Sequence, residues 1–199
     1  GFPRPPTPLP APPVIGYLGR LCRGLGVDLL VDAFLQLRQR PGFAAVQLHL
    51  AGGWTGDDQP LLRDARRRIE RAGARAQVRF TPVLERAQRL HFLQAVSLVC
   101  VPARMESAFG LFILESLAAG RPVVVPRRGA FPELLAQTGG GLLFDDLSAA
   151  ALADRLTECL HPTYPLAATG AAGQTAVLNR FTVDRMAREL VTLTGATRS

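Results

Sequence analysis

The sequence predicts a doubly wound α/β domain, a parallel sheet of about six strands with helices on both faces. Three observations carry this. Short apolar runs recur at Val14–Leu18, Val46–Ala51, Gln77–Phe80, Leu98–Val101, Pro122–Val125 and Gly141–Phe144. Several are β-branched and most are bounded by Gly or Pro, which marks buried parallel strands. Helical periodicity fills the intervals, and strand–helix alternation builds a parallel sheet. Finally, 199 residues of which 48% are hydrophobic suffice for one core without disulfide or metal.

Residues 1–13 carry seven prolines and are expected to form a stiff, extended linker or tail. Residues 14–199 are expected to form one Rossmann-like domain. After the first strand, Val27, Leu30, Val31 and Phe34 follow the i, i+3, i+4, i+7 spacing of a helix that Pro41-Gly42 stops. Residues 59–73 set Leu62, Ala65 and Ile69 on one face and spread Arg63, Arg66, Arg67, Arg68 and Arg71 over the rest. Shorter helices are expected at 86–95, 110–119 and 131–137. Ser148 is placed to cap a helix through Leu160. Thr182 is placed to cap another through Leu193, in which Val183, Met186, Ala187, Leu190 and Val191 form one apolar stripe.

The chain has a net charge of +7, and all 23 of its basic residues are Arg. Such a balance favours nucleic acid, phosphorylated ligands or anionic lipid heads, and the planar guanidinium fork suits phosphate. No loop interleaves aromatic with basic residues as single-strand binders do, so no nucleic-acid partner is expected. No apolar run approaches the ~20 residues of a membrane span, and the apolar face of 59–73 is small, so no stable membrane insertion is expected. The proline tract does not resemble a signal peptide. Cys22, Cys100 and Cys159 are scattered, which predicts reduced, mostly buried thiols and a cytoplasmic setting. No Cys-x-x-Cys pair or histidine spacing suggests a metal, and none is expected. His49 and His91 read as structural histidines.

Ligands of doubly wound sheets bind at the carboxyl ends of the strands. The loops of interest are therefore 19–26, 52–58, 81–85, 102–109, 126–131 and 145–147. Gly19-Arg20-Leu21-Cys22-Arg23-Gly24-Leu25-Gly26 offers glycines and two cations ahead of a helix N-terminus. It reads equally as an anion site or a plain glycine-rich turn. Glu115 stands between Leu114 and Leu117. It reads either as an acceptor for a pair of sugar hydroxyls or as part of a solvated helix face. Arg127 and Arg128 read as surface charge or as another phosphate grip.

Taken in order, these segments resemble the C-terminal, donor-binding domain of glycosyltransferase family 4, retaining enzymes built from two Rossmann-like domains in the GT-B arrangement. The matching pieces begin with Gly-Arg-Leu-x-x-x-x-Gly-Val-Asp-Leu-Leu at 19–30, Ala-Gly-Gly at 51–53 and Val-x-Phe at 78–80. The most specific is Phe-Gly-Leu-Phe-Ile-Leu-Glu-Ser-Leu-Ala-Ala-Gly-Arg-Pro-Val-Val at 109–124. Gly-Ala-Phe-Pro-Glu at 129–133 and Thr-Gly-Gly-Gly-Leu-Leu at 138–143 complete the series. The resemblance implies a nucleotide-diphosphate sugar as substrate and no cofactor. Gly19, Arg20, Arg23, Gly52, Gly53, Phe109, Gly110, Leu111 and Glu115 would bind the donor, with Arg20 on the diphosphate and Glu115 on the ribose hydroxyls. The family's paired glutamates are separated by seven residues. Counting back from Glu115 gives Ser107, and a one-residue slip gives Glu106, so both stand beside Arg20 as candidate catalytic positions. The family's lysine of the first loop is Leu25 here, with Arg23 two residues away as its expected substitute. The acceptor would be held by an N-terminal domain outside these residues, without which no sugar transfer is expected. The alternative is a non-catalytic nucleotide-binding or scaffold domain of glycosyltransferase descent.

Overall fold

In the computed structural model, which describes residues 6–82, 85–106 and 109–193, six strands form one all-parallel sheet. The strands are β1 (Val14–Leu18), β2 (Gln47–Ala51), β3 (Val78–Thr81), β4 (Leu98–Cys100), β5 (Val123–Pro126) and β6 (Gly141–Phe144), ordered β3-β2-β1-β4-β5-β6. The central strands β4 and β5 are buried at every position. Their Leu-Val-Cys and Val-Val-Val-Pro sequences are therefore continuous rather than alternating, as a sheet covered on both faces requires.

Eight α-helices are formed among the described residues: α1 (Val27–Arg38), α2 (Gln59–Arg71), α3 (Arg86–Ala95), α4 (Leu111–Ala118), α5 (Phe131–Thr138), α6 (Ala149–Leu160), α7 (Leu166–Arg180) and α8 (Val183–Leu193). α1 packs against α2 and α6, while α7 packs against α4 and α5. Arg40, just past α1, fastens the first group by reaching Asp154 at 2.5 Å and Thr157 at 2.7 Å on α6. Ser148 caps α6 by accepting the Ala151 N–H at 3.2 Å, and Thr182 accepts the Arg185 N–H at 3.2 Å ahead of α8. The apolar stripe of α8 is exposed at Val183, Met186, Leu190 and Val191.

The helix α7 has no counterpart among the sequence expectations. Its Leu-Ala-Ala-Thr-Gly-Ala-Ala-Gly-Gln sequence has little amphipathic contrast and two glycines, which lower helix propensity. Packing explains both. A Cβ on Gly170 would stand 2.2 Å from the Gly120 carbonyl oxygen, and one on Gly173 would stand 2.7 Å from Leu117. The glycines let α7 lie directly on the turn between α4 and β5.

The proline tract is held to the domain at its described end. Arg121 is completely buried and donates from Nε to Leu93 O at 2.8 Å and from Nη2 to Gln94 O at 2.9 Å and to Thr7. The C-terminal carbonyls of α3 thus stabilise a buried cation that pairs with no carboxylate among the described residues. Of the two histidines read as structural, His49 packs edge-on against Phe92 and contacts Thr81 Oγ1 at 2.7 Å. His91 instead projects into solvent from α3, a correction to the expectation. Cys100 and Cys159 are buried and Cys22 is half-buried, and all three are free thiols.

Candidate nucleotide site at the switch point

The strand order reverses between β1 and β4, so the chain leaves these neighbours in opposite directions and opens a crevice at their carboxyl ends. The loops after β1 and β2 meet there. Gly19 N–H donates to Ala51 O at 3.1 Å and Leu21 N–H to Gly53 O at 2.8 Å. The buried Tyr17 hydroxyl donates to Arg20 O at 2.6 Å, and burial raises its pKa well above the ordinary phenol value. Arg20 therefore starts from a fixed backbone.

Its side chain is fixed as well. Nε donates to Asp58 Oδ2 at 3.0 Å and Nη2 to Thr55 Oγ1 at 2.8 Å. Asp58 is buried and also accepts the Thr55 N–H at 2.9 Å. That backbone bond first, and the Arg20 side chain after it, hold the Asp58 carboxyl below its usual range. The bond to Asp58 correspondingly raises the pKa of the Arg20 guanidinium, whose side chain remains 52% exposed. A cation braced from behind and open in front is suited to an anionic ligand.

Facing the same crevice, Glu115 of α4 accepts a charge-assisted bond at 2.7 Å from Arg89 Nη1 of α3. Leu18, Gly19, Arg20, Gly52, Gly53, Arg89, Leu111, Phe112 and Glu115 enclose a cleft of about 300 Å³. Leu111 and Glu115 also border a groove of about 1030 Å³ that runs between α4, α7 and α8 and includes Phe109. A third ion pair lies between the loop after β4 and α1. Arg104, after β4, grips the buried Asp28 of α1 with bonds of 2.7 and 3.1 Å and donates to Arg23 O at 2.7 Å.

The structure thus brings Gly19, Arg20, Gly52, Gly53, Leu111 and Glu115 into one cleft. Arg23 and Glu106 are exposed and do not line it, while Gly110 is buried as the cap of α4. Ser107 lies outside the described residues. Arg127 forms an exposed ion pair with Asp145 at 2.6 Å. Sequence reasoning missed Arg89, Asp58 and the Arg104–Asp28 pair. Thr55-x-x-Asp58 is a helix-start signature that signals the carboxylate. Arg89 lies three and four residues before the buried Phe92 and Leu93, so a cation falls on an inward helix face. Among the described residues no three His, Cys, Asp or Glu side chains gather as a metal site would need, and no helix is long and apolar enough to cross a membrane.

Known proteins share this architecture. The chain is 33% identical over 188 residues to the lipopolysaccharide core biosynthesis mannosyltransferase LpsB of Rhizobium meliloti, covering 91% of this chain and 51% of that protein. It is 32% identical over 186 residues to a D-inositol 3-phosphate glycosyltransferase of Jonesia denitrificans, covering 93% and 43% respectively. The chain therefore spans about half the length of these relatives. Anabaena HepE, solved with UDP and glucose, superposes with a TM-score of 0.78 at 25% identity over 92% of this chain and 48% of its own. The solved C-terminal domain of LpcC, a group 1 glycosyl transferase of Francisella tularensis, matches in fold with a TM-score of 0.76 at 21% identity, over 88% of this chain and 89% of that one. Residues 12–161 match the family model of glycosyl transferases group 1, and the chain belongs to that family.

Proposed function

We propose that the cleft binds a nucleoside-diphosphate sugar and that the chain is the donor-binding half of a retaining hexosyltransferase. The observation that carries this is the braced Arg20, which shares one switch-point cleft with the Glu115 carboxylate. Arg20 takes the diphosphate and Glu115 the ribose hydroxyls. The UDP and glucose bound to HepE support the ligand class, and the names of LpsB and the inositol-phosphate enzyme support glycosyl transfer. In the reaction the bond from the anomeric carbon to the β-phosphate oxygen breaks. An acceptor hydroxyl oxygen forms the new bond on the same face, and its proton passes to the departing phosphate oxygen. Arg20 and the helix dipoles at the crevice offset the leaving-group charge, the role a metal plays elsewhere. The acceptor would be delivered by a second domain.

A second reading is a nucleotide-binding domain without transferase chemistry. It is favoured by the placement of Glu106, exposed and outside the cleft lining. Calorimetric titration of the domain with UDP, GDP, ADP and TDP tests what both readings share. Binding of one diphosphate, weakened tenfold or more in Arg20→Ala, is expected from loss of a charge-assisted bond. Failure of all four to bind the folded domain would refute it. Turnover, assayed with the second domain present, then separates the two readings.

A further inference from the structure

We infer that Arg89 is a ribose-positioning residue, which with Glu115 forms a donor–acceptor pair that selects a ribonucleotide over a deoxyribonucleotide. The inference rests on the donor-binding reading above and extends it to a residue that no motif marks.

The geometry is specific. Arg89 rises from α3 and Glu115 from α4, and the two, joined by an ion pair, both line the cleft. Arg89 is Glu115's hydrogen-bond partner at Oε1, at 2.7 Å. A carboxylate has two oxygens and about four acceptor positions. A single contact anchors one carboxylate oxygen and leaves most of that capacity for a ligand. Arg89 has five N–H donors, and its side chain is 40% exposed. Its Nε is buried and has no hydrogen-bond partner. Among the described residues the buried side-chain atoms in that condition also include Arg68 Nε, Gln77 Oε1 and Arg121 Nη1, and of these only Arg89 Nε belongs to a residue lining the cleft.

A hydroxyl both donates and accepts. A lone carboxylate meets only half of what a vicinal diol offers. A carboxylate with a guanidinium beside it takes the hydroxyl protons and also supplies a donor to their oxygens. Sites built to satisfy a hydroxyl discriminate strongly against analogues lacking it, because the buried partners are then left unpaired. A clamp serving only to join α3 to α4 would instead affect every ligand of the domain equally.

The test uses the ribonucleoside diphosphate that binds in the titration above, its 2′-deoxy and 3′-deoxy analogues, and inorganic pyrophosphate. Wild type is expected to prefer the ribonucleotide to at least one deoxy analogue by tenfold or more. In Arg89→Met, which keeps the apolar stem, the ribonucleotide should weaken by about tenfold while pyrophosphate binding stays unchanged, so the preference collapses. Arg89→Lys, which keeps a cation, should retain part of the preference and serves if the Met variant does not fold. A preference that survives in either variant as in wild type would overturn the inference. So would equal weakening of ribonucleotide, deoxy analogue and pyrophosphate. Wild-type domain that binds no nucleotide would instead overturn the donor-binding reading, and this inference with it.

Discussion

Gly52→Ala is the most demanding perturbation of the site. Gly52 has φ +151°, in the range L side chains rarely adopt, and an added Cβ would stand 1.8 Å from Gly19 O. That approach is more than 1 Å closer than real Cβ contacts allow, and both sides are backbone, so no rotamer change relieves it. The Gly52 N–H is also committed to Thr81 O at 3.0 Å, which prevents the β2 end from simply retreating. Backbone strain of about 1–3 kcal/mol adds to overpacking of about 1–3 kcal/mol, for a cost of about 2–6 kcal/mol. Relief requires the Gly19–Arg20 segment to move by about 1 Å, which displaces the Arg20 donors and is expected to weaken diphosphate binding by about tenfold or more through loss of a charge-assisted bond. Gly73→Ala is the control, because Gly73 has φ +62° with nothing within 4 Å of an added Cβ, so it meets only the left-handed penalty of about 1–2 kcal/mol. Urea unfolding and diphosphate titration of both variants measure the difference. Equal destabilisation of the two, or a Gly52→Ala domain that binds diphosphate like wild type, would show that the contact with Gly19 does not shape the site.

Two further predictions concern the frame around the cleft. Burial and then the neighbouring Arg79 lower the His49 pKa to about 4. The unfolded chain binds that proton near pH 6.5 and the native state does not, so the stability it contributes is complete above pH 6.5 and is lost as pH falls toward 4. Between pH 8 and 5 the linkage amounts to about 2 kcal/mol, and solvent screening at a half-buried ring reduces it to about 1. Urea unfolding across this range should show that loss in wild type and a flatter profile in His49→Gln. Removing Arg104 leaves Asp28, itself only 8% exposed, without its guanidinium. Arg104→Ala should cost about 2–4 kcal/mol, a fall in Tm of several degrees for a domain of this size, and Asp28→Asn in the same chain should recover part of it.

The strands were legible because a sheet covered on both faces needs apolar side chains at successive positions. β1 and β6 fall where the sequence puts them, and the others shift by one residue at their ends. The helix α7 was illegible because its determinant is close approach, and small residues chosen for proximity erase the amphipathic contrast that periodicity detects. The same division runs through the site. Arg20 and Glu115 stand on motif segments, so their placement in one cleft followed once the topology was fixed. The partners that hold them are remote in sequence. Asp58 lies 38 residues from Arg20, and Arg89 lies 26 residues from Glu115. Neither separation is a property of a local pattern. Leu25 and Arg23 gave the opposite outcome, since proximity in sequence to the first loop's glycines brought neither into the cleft lining.

The distant partners change what the site's charge can do. Arg20 and Arg89 are its two cations, and each is joined to a carboxylate, Asp58 or Glu115. Pairing reduces the net positive field, so the domain's overall +7 is a poor guide to affinity at this point. What the pairing supplies is order. A free arginine loses about 1.5–2 kcal/mol of rotamer freedom when a ligand immobilises it, whereas Arg20 is already held at two nitrogens. Asp58 in turn is held by the Thr55 N–H and is buried, so the order of the backbone is passed through a carboxylate to the cation. A phosphate meeting this guanidinium finds a donor set whose orientation is already determined by the β1 and β2 loops. The contact of Gly52 with Gly19 sets the spacing of those loops and therefore belongs to the electrostatics of the site as much as to its packing.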